Sequence, residues 1–328
     1  MNYRNLGRTG VRVSPLCLGA WQFGRRTPKE DALRMVDQAL AAGINFMDTA
    51  SGYGDGDSER ILGQALRNSR QRHRVVLATK FTQGVTRNQI IEQCEASLRN
   101  LQTDYIDLYQ FHSSHANVPI DESLRALDDL IRAGKVRYIG VSNFMAWQEV
   151  EALWAAKALG LNRHVSSQPA YNLLDRRAER ELLPMAQTYG IAVIPWSPLA
   201  QGFLTGKYRR ADVMPSGGRL TAYAGVQESG GIDTHAQARV FDVVELLVEL
   251  AEEKGCSVSQ LALAWCLSQP GVTAPIIGPR TPEQLADNLG ACDVTITNED
   301  TCRIDAVMPP GQMLVHYMRA TTAPRARW

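Results

Sequence analysis

No uninterrupted apolar run of about 20 residues occurs in the chain, so no segment is long enough to cross a bilayer as a helix. An excess of either charge is missing too: 35 Lys and Arg stand against 34 Asp and Glu. That balance argues against a phosphate backbone or an anionic membrane as partner, and neither nucleic acid nor membrane is expected. The N-terminus, Met1-Asn2-Tyr3-Arg4-Asn5-Leu6-Gly7, lacks the apolar core of a secretion signal, and a cytoplasmic location is expected. Cys-x-x-Cys pairs and Cys/His clusters at metal spacing are absent. The six cysteines (Cys17, Cys94, Cys256, Cys266, Cys292, Cys302) therefore read as reduced thiols, with neither disulfide nor metal site expected. No Gly-x-Gly-x-x-Gly follows a strand-like run, which argues against a Rossmann mode of dinucleotide binding.

What the chain does have is alternation. Short apolar runs rich in β-branched and aromatic residues are each followed by a stretch of helical period, the signature of βαβ units with a parallel sheet. The expected strands are 14–20, 45–49, 75–80, 105–111, 138–142, 165–168, 192–196 and 274–277. Eight such units close a (β/α)8 TIM barrel, read here as one domain over residues 1–328 with an N-terminal β-hairpin capping the barrel bottom. Thr27-Pro28-Lys29-Glu30 predicts a capped helix start with proline at the first helical position, and Gly43 its end. One long glycine-rich stretch, about residues 200–235, follows the seventh strand and is expected to cover a ligand. Reading it as a linker between two domains would leave the strand 274–277 without a sheet.

Barrel enzymes place their chemistry at the C-terminal ends of strands, so polar residues that finish apolar strands are the ones to weigh. Asp48 ends the second strand and is followed by the turn Ser51-Gly52-Tyr53-Gly54; Lys80 ends the third and His112 follows the fourth. Singly, each has an ordinary explanation: a helix cap, a solvated charge, a satisfied polar side chain. Together they make chemical sense, because a carbonyl that accepts hydride needs a proton at its oxygen as charge develops there. Lys80 is expected to lower the pKa of the Tyr53 phenol, which then serves as acid in reduction and base in oxidation. Asp48 supplies the counter-ion for a buried lysine, and His112 orients the substrate oxygen.

This set, Asp48-Thr49-Ala50-Ser51-Gly52-Tyr53-Gly54 with Thr79-Lys80 and His112, resembles the catalytic Asp/Tyr/Lys/His tetrad of the aldo-keto reductase superfamily. The resemblance continues through Gly140-Val141-Ser142-Asn143-Phe144, Gln168-Pro169-Ala170-Tyr171-Asn172, Trp196-Ser197-Pro198-Leu199-Ala200-Gln201-Gly202 and Thr281-Pro282-Glu283-Gln284-Leu285-Ala286-Asp287-Asn288, nearly the whole chain. It implies an NADPH-dependent oxidoreductase that moves hydride between a nicotinamide cofactor and an aldehyde, ketone or sugar-like carbonyl. By carry-over, Ser142, Asn143 and Gln168 hold the carboxamide and Trp196 stacks on the nicotinamide. Ser197 is a further cofactor contact, the segment Leu199 to Lys207, with Gln201 and Gly202, wraps the pyrophosphate, and Gln284 and Asn288 face the adenine.

NADPH rather than NADH is favoured by Arg280, which sits where a helix N-terminus also attracts an anion. Arg219 and Lys207 resemble phosphate-binding residues of the potassium-channel β-subunit branch. Here the chain departs from the monomeric reductases, which carry lysine at the position of Gly278 and arginine at that of Gln284; NADH therefore stays open. Expected substrate walls are Trp21, Tyr53, Phe81, His112, Phe144 and the loop around 208–223; His115 is either a substrate contact or, the favoured reading, a solvated neighbour. The partner is a small carbonyl or alcohol; the sequence sets no oligomeric state. Two other readings stand beside this one: a cofactor-binding regulatory subunit of a membrane partner, disfavoured because the barrel begins within the first few residues, and a barrel lyase with a Schiff base on Lys80.

Overall fold

The structure is a computed structural model, and it describes residues 1–115, 117–208 and 234–315, without the side chains of 234–237. Eight parallel strands form its centre: β3 (Cys17–Gly19), β4 (Phe46–Asp48), β5 (Val76–Phe81), β6 (Ile106–Phe111), β7 (Val136–Ser142), β8 (Ser166–Gln168), β9 (Ala192–Val193) and β10 (Ile276–Ile277). They pair in the order β10-β3-β4-β5-β6-β7-β8-β9. The two ends meet: Thr273 N–H donates to Val193 O at 2.7 Å and Ile276 N–H to Pro195 O at 2.8 Å, which closes the (β/α)8 barrel. All eight expected strands are present.

A two-stranded hairpin, β1 (Arg4–Asn5) with β2 (Arg12–Val13), precedes them. It covers the N-terminal ends of the strands, where Arg4 donates to the carbonyls of Leu267 and Val272 at 3.1 and 2.9 Å. Gly7, in left-handed backbone at φ +59°, lets this turn press against the strand ends; a Cβ there would lie 2.7 Å from Val165 O and 2.8 Å from Gly190 O.

Helices α1 (Lys29–Ala41), α2 (Asp57–Ser69), α3 (Arg87–Leu101), α4 (Ile120–Arg132), α5 (Ala146–Leu159) and α6 (Leu182–Tyr189) follow the first six barrel strands in turn. After β9 come α7 (Thr234–Lys254) and α8 (Val258–Ser268), and β10 is followed by α9 (Pro282–Leu289) and α10 (Asn298–Val307). Helix α1 buries Ala32, Met35, Val36 and Ala39, the i, i+3, i+4, i+7 stripe of an amphipathic helix. Its start differs from the expectation. The N-cap is Pro28, because the Thr27 hydroxyl donates instead to Arg280 O at 3.2 Å and ties the first strand's loop to the eighth. The long stretch after β9 opens, as expected, with irregular backbone: 200–205 is a pair of short turns broken by a kink at Gln201 and Gly202, and α7 begins at 234, while 209–233 lies outside the described residues.

Both faces of β5 are buried, as a barrel wrapped in helices requires. Alternation along the strands then sorts side chains. Phe46, Val76, Ala78, Leu108 and Ile194 pack together in the barrel interior, whereas Met47, Leu77, Tyr109 and Val141 join the layer beneath the helices. By the same alternation Asp48, Lys80 and Gln110 turn inward at the mouth, above an apolar floor.

Candidate functional site

Lys80 is fully buried, at 0% exposure, and its ammonium donates to Asp48 Oδ1 at 2.6 Å and to Thr49 O at 2.8 Å. A buried charge persists only when paired and hydrogen-bonded. Burial alone would lower the Lys80 pKa, but Asp48 and Tyr53 together raise it above the ordinary lysine value, so the amine stays protonated. The Asp48 carboxylate is itself held from the far side: Gln110 Nε2 and Gln168 Nε2 donate to Oδ2 at 3.1 and 3.0 Å.

Tyr53 lies on the turn after β4, with its N–H on Ala50 O at 3.1 Å and left-handed glycines at 54 and 56 completing the bend. Its ring passes over the lysine, with Nζ 5.2 Å from the ring centroid, and stands edge-on to His112 at 5.6 Å. Burial raises the Tyr53 pKa, Lys80 pulls it down and Asp48 pushes it up; the net direction is upward. The expected pull from Lys80 is therefore present, but desolvation outweighs it, and the expected net lowering is corrected. His112 is pushed down to about 3, by burial first and by the Lys80 charge second, so its imidazole is neutral.

Asp48, Tyr53 and His112 face a cavity of about 770 Å³, with Lys80 buried behind them. Of the sequence-derived residues, Trp21, Ser142, Asn143, Gln168, Trp196, Ser197, Leu199, Gln201, Gly202, Lys207, Gly278, Arg280, Gln284 and Asn288 all line it, beside Asp48, Tyr53 and His112. Side-chain bonds connect the wall. Trp196 Nε1 donates to Asn143 Oδ1 at 3.1 Å, Asn143 Nδ2 to His112 O at 2.8 Å, and Ser142 Oγ to Gln168 O at 2.8 Å. Asn143, Ser197, Ala200 and Gln201 all have φ between 48° and 56°, the left-handed region that L residues pay for and that clusters at ligand clamps.

Three expectations are corrected or fall elsewhere. Phe81 and Phe144 do not line the cavity: Phe81 alternates outward from Lys80 and packs on Tyr109 and Phe111, with ring centroids at 5.0 and 4.8 Å, and Phe144 packs on Phe111 at 5.4 Å. Tyr208 is buried against Phe203 at 5.7 Å rather than facing the cavity. Arg219 and the rest of the loop 209–223 lie outside the described residues.

The cavity also has walls to which the sequence assigned no role, Gln22, Ser259, Glu283 and Asp287, while Thr205 belongs to the segment expected to wrap the pyrophosphate. Ser259 is on a helix that only the closed barrel brings to the mouth. Gln22 follows Trp21 at the end of the first strand, a position that could have marked it.

Family comparison agrees with this geometry. The family model "Aldo/keto reductase family" matches residues 15–309. The chain belongs to the aldo/keto reductase family. This aldo/keto reductase is 39% identical to "Uncharacterized oxidoreductase YrpG" of Bacillus subtilis, over 95% of its own length and 97% of that protein's. It is 37% identical to a "Probable voltage-gated potassium channel subunit beta" of Oryza sativa, covering 94% of this chain and 97% of the other. A protein of the same description from Arabidopsis thaliana is also 37% identical, with coverages of 90% and 92%.

The cavity of this aldo/keto reductase suits an extended dinucleotide. Gln22 is 2% exposed, yet its Nε2 has no acceptor among the described residues, a donor that a ligand oxygen in the cavity would satisfy. A Cβ built on Gly278 would meet no heavy atom within 4 Å, so the backbone there stands open to the cavity. Lys207 and Arg280 supply positive charge along the wall, offset by Glu283 and Asp287.

Proposed function

We propose that the protein is an NADPH-dependent oxidoreductase that interconverts a carbonyl and an alcohol on a small substrate, with Tyr53 as general acid and base. The observation that carries this reading is the fully buried Lys80, bonded to Asp48 at 2.6 Å directly beneath the Tyr53 ring at the base of the cavity. A nicotinamide cofactor would supply the hydride; Ser142, Asn143, Gln168 and Trp196 would hold and orient its ring, and Lys207 and Arg280 its phosphates. Every other function falls to this chain's own groups. The Tyr53 hydroxyl gives a proton to the substrate oxygen, and the Lys80 ammonium stabilises the phenolate left behind. His112, neutral, donates one ring N–H to the same oxygen and fixes its angle. Trp21 walls the substrate side, and NADH remains usable to the extent that Arg280 alone discriminates the ribose phosphate.

A Schiff base on Lys80 is disfavoured by the same geometry. A nucleophilic lysine needs a depressed pKa, and this ammonium is instead stabilised by Asp48. The potassium-channel description of two relatives supports a second reading, a cofactor-holding subunit of a membrane partner, which a turnover assay separates from the first.

The test is consumption of NADPH across a panel of aldehydes, ketones and sugars by the wild-type protein and by Tyr53→Phe. Loss of the hydroxyl is expected to cut kcat by about 10²- to 10⁴-fold with cofactor binding retained. Undiminished kcat in the variant would refute the role of Tyr53.

A further inference from the structure

One buried polar side chain at the barrel mouth is not explained by the tetrad. Gln110 is fully buried, at 0% exposure, on a strand whose inward neighbour is Leu108. An apolar residue of the same size would fill this space without the penalty of burying an amide, so the amide must be bonded to something that matters. Its Nε2 donates to Asp48 Oδ2 at 3.1 Å, across the barrel, between strands two places apart in the sheet.

The sheet makes room for this reach. Lys80, Gln110 and Gly140 are level in the register of β5, β6 and β7. A Cβ at Gly140 would lie 3.0 Å from Gln110 Cγ and 2.4 Å from Ser166 Oγ, so the neighbouring strand withholds a side chain where Gln110 passes. The carboxylate thus has separate attachments: Oδ1 takes the Lys80 ammonium at 2.6 Å, and Oδ2 takes two neutral amides. Gln168, the second of these, also lines the cavity and is available to a ligand; Gln110 is absent from the cavity wall and has no such alternative.

We propose that Gln110 is a positioning residue: by holding Asp48 Oδ2 it keeps Oδ1 turned to Lys80, and through Lys80 it sets the acidity of Tyr53. This rests on the reductase reading above. Two effects act in the same direction. The amide draws negative charge on Asp48 away from the phenol, and it stops the carboxylate from rotating, which would loosen the ammonium under the ring. The charged and titratable groups around the phenol are Asp48 on β4, Lys80 on β5 and the neutral His112 after β6, while the buried Cys17 on β3, whose thiol burial holds well above its ordinary range, faces Asp48 and Lys80. From β7 and β8 the facing groups are the neutral Ser142 and Gln168.

The experiment replaces Gln110 by methionine, of similar length but without donors, and by leucine as a second variant in case the first is poorly folded. Two readouts are taken: the Tyr53 phenol titration in the cofactor-free protein by 13Cζ-tyrosine NMR, assigned with Tyr53→Phe, and the pH profile of kcat for alcohol oxidation. The expected result is a Tyr53 titration moved up by roughly half a unit to one unit in either folded variant. The oxidation limb moves up with it, and KM for cofactor is unchanged. A titration that coincides with wild type, whether kcat is unchanged or falls equally at every pH, overturns the proposal and leaves the reductase intact. A wild-type protein that turns over no carbonyl, or one indifferent to Tyr53→Phe, overturns the reductase reading itself and this role with it.

Discussion

At the level of single residues, the site is a set of charges and dipoles forced together by burial. Lys80 carries a stable charge only because Asp48 and Thr49 O accept from it, and Tyr53 feels that charge against the opposing effect of desolvation. His112 has the clearest consequence. With its pKa pushed down to about 3, it stays neutral in the folded protein throughout the range where a free histidine titrates. The pH profile of kcat for reduction is therefore expected to be flat between about pH 5 and 8 with respect to histidine; a limb near 6.5 that disappears in His112→Gln would contradict the assignment. The same shift bears on stability. Below its unfolded pKa of about 6.5 the unfolded chain binds a proton at His112 that the folded protein refuses, so acidification toward pH 3 favours unfolding. His112→Gln removes this contribution, and its loss of stability on acidification, followed by urea denaturation at several pH values, should be the smaller of the two.

Among the elements, strand alternation and helix packing decide which side chain reaches which place. Phe81 follows Lys80 directly and points the other way, into a ring cluster with Tyr109 and Phe111 rather than into the cavity. Thr79, also outward, donates to the buried Glu59 of α2 at 2.7 Å, and Asn100 of α3 donates to the same carboxylate at 3.0 Å, so the helices are keyed to the strand that carries Lys80. Helices α2 and α3 approach closely at Gly63, where an added Cβ would lie 2.5 Å from Leu101 C and O, both backbone atoms unable to swing aside. Gly63→Ala is expected to cost about 1–3 kcal/mol by overpacking. Urea denaturation should give a lower midpoint at unchanged slope; an unaltered midpoint would mean the helices part freely.

For the molecule as a whole, the cavity is assembled from strand ends, the turn at 200–205 and the helices α8 and α9, so a ligand bound there ties distant parts of the chain together. NADPH is expected to stabilise the folded protein by about 2.7 kcal/mol at 100-fold above its Kd, read as a rise in Tm. Arg280→Ala should weaken NADPH roughly tenfold or more and NADH little, since only the former has a ribose phosphate for the guanidinium to bond. Equal weakening of both would remove Arg280 from phosphate recognition. Among the described residues no helix is long and apolar enough to cross a membrane.

The amino-acid sequence by itself determined the eight βα units and which polar residues end their strands, because local periodicity and short-range motifs carry that information. It marked Asp48, Tyr53, Lys80 and His112, which the fold brings together, and most of the cavity wall for the same reason. The closed barrel alone decided the rest. Which way Phe81 and Phe144 face, that Ser259 and Asp287 come to the mouth, that Thr27 bonds Arg280 instead of capping its helix, and that Gln110 reaches Asp48 across two strands all depend on register and curvature, which couple residues far apart in the chain. The net upward shift of Tyr53 belongs here too. Sequence names its charged neighbours, but the desolvation that outweighs Lys80 exists only once the surrounding strands have excluded water.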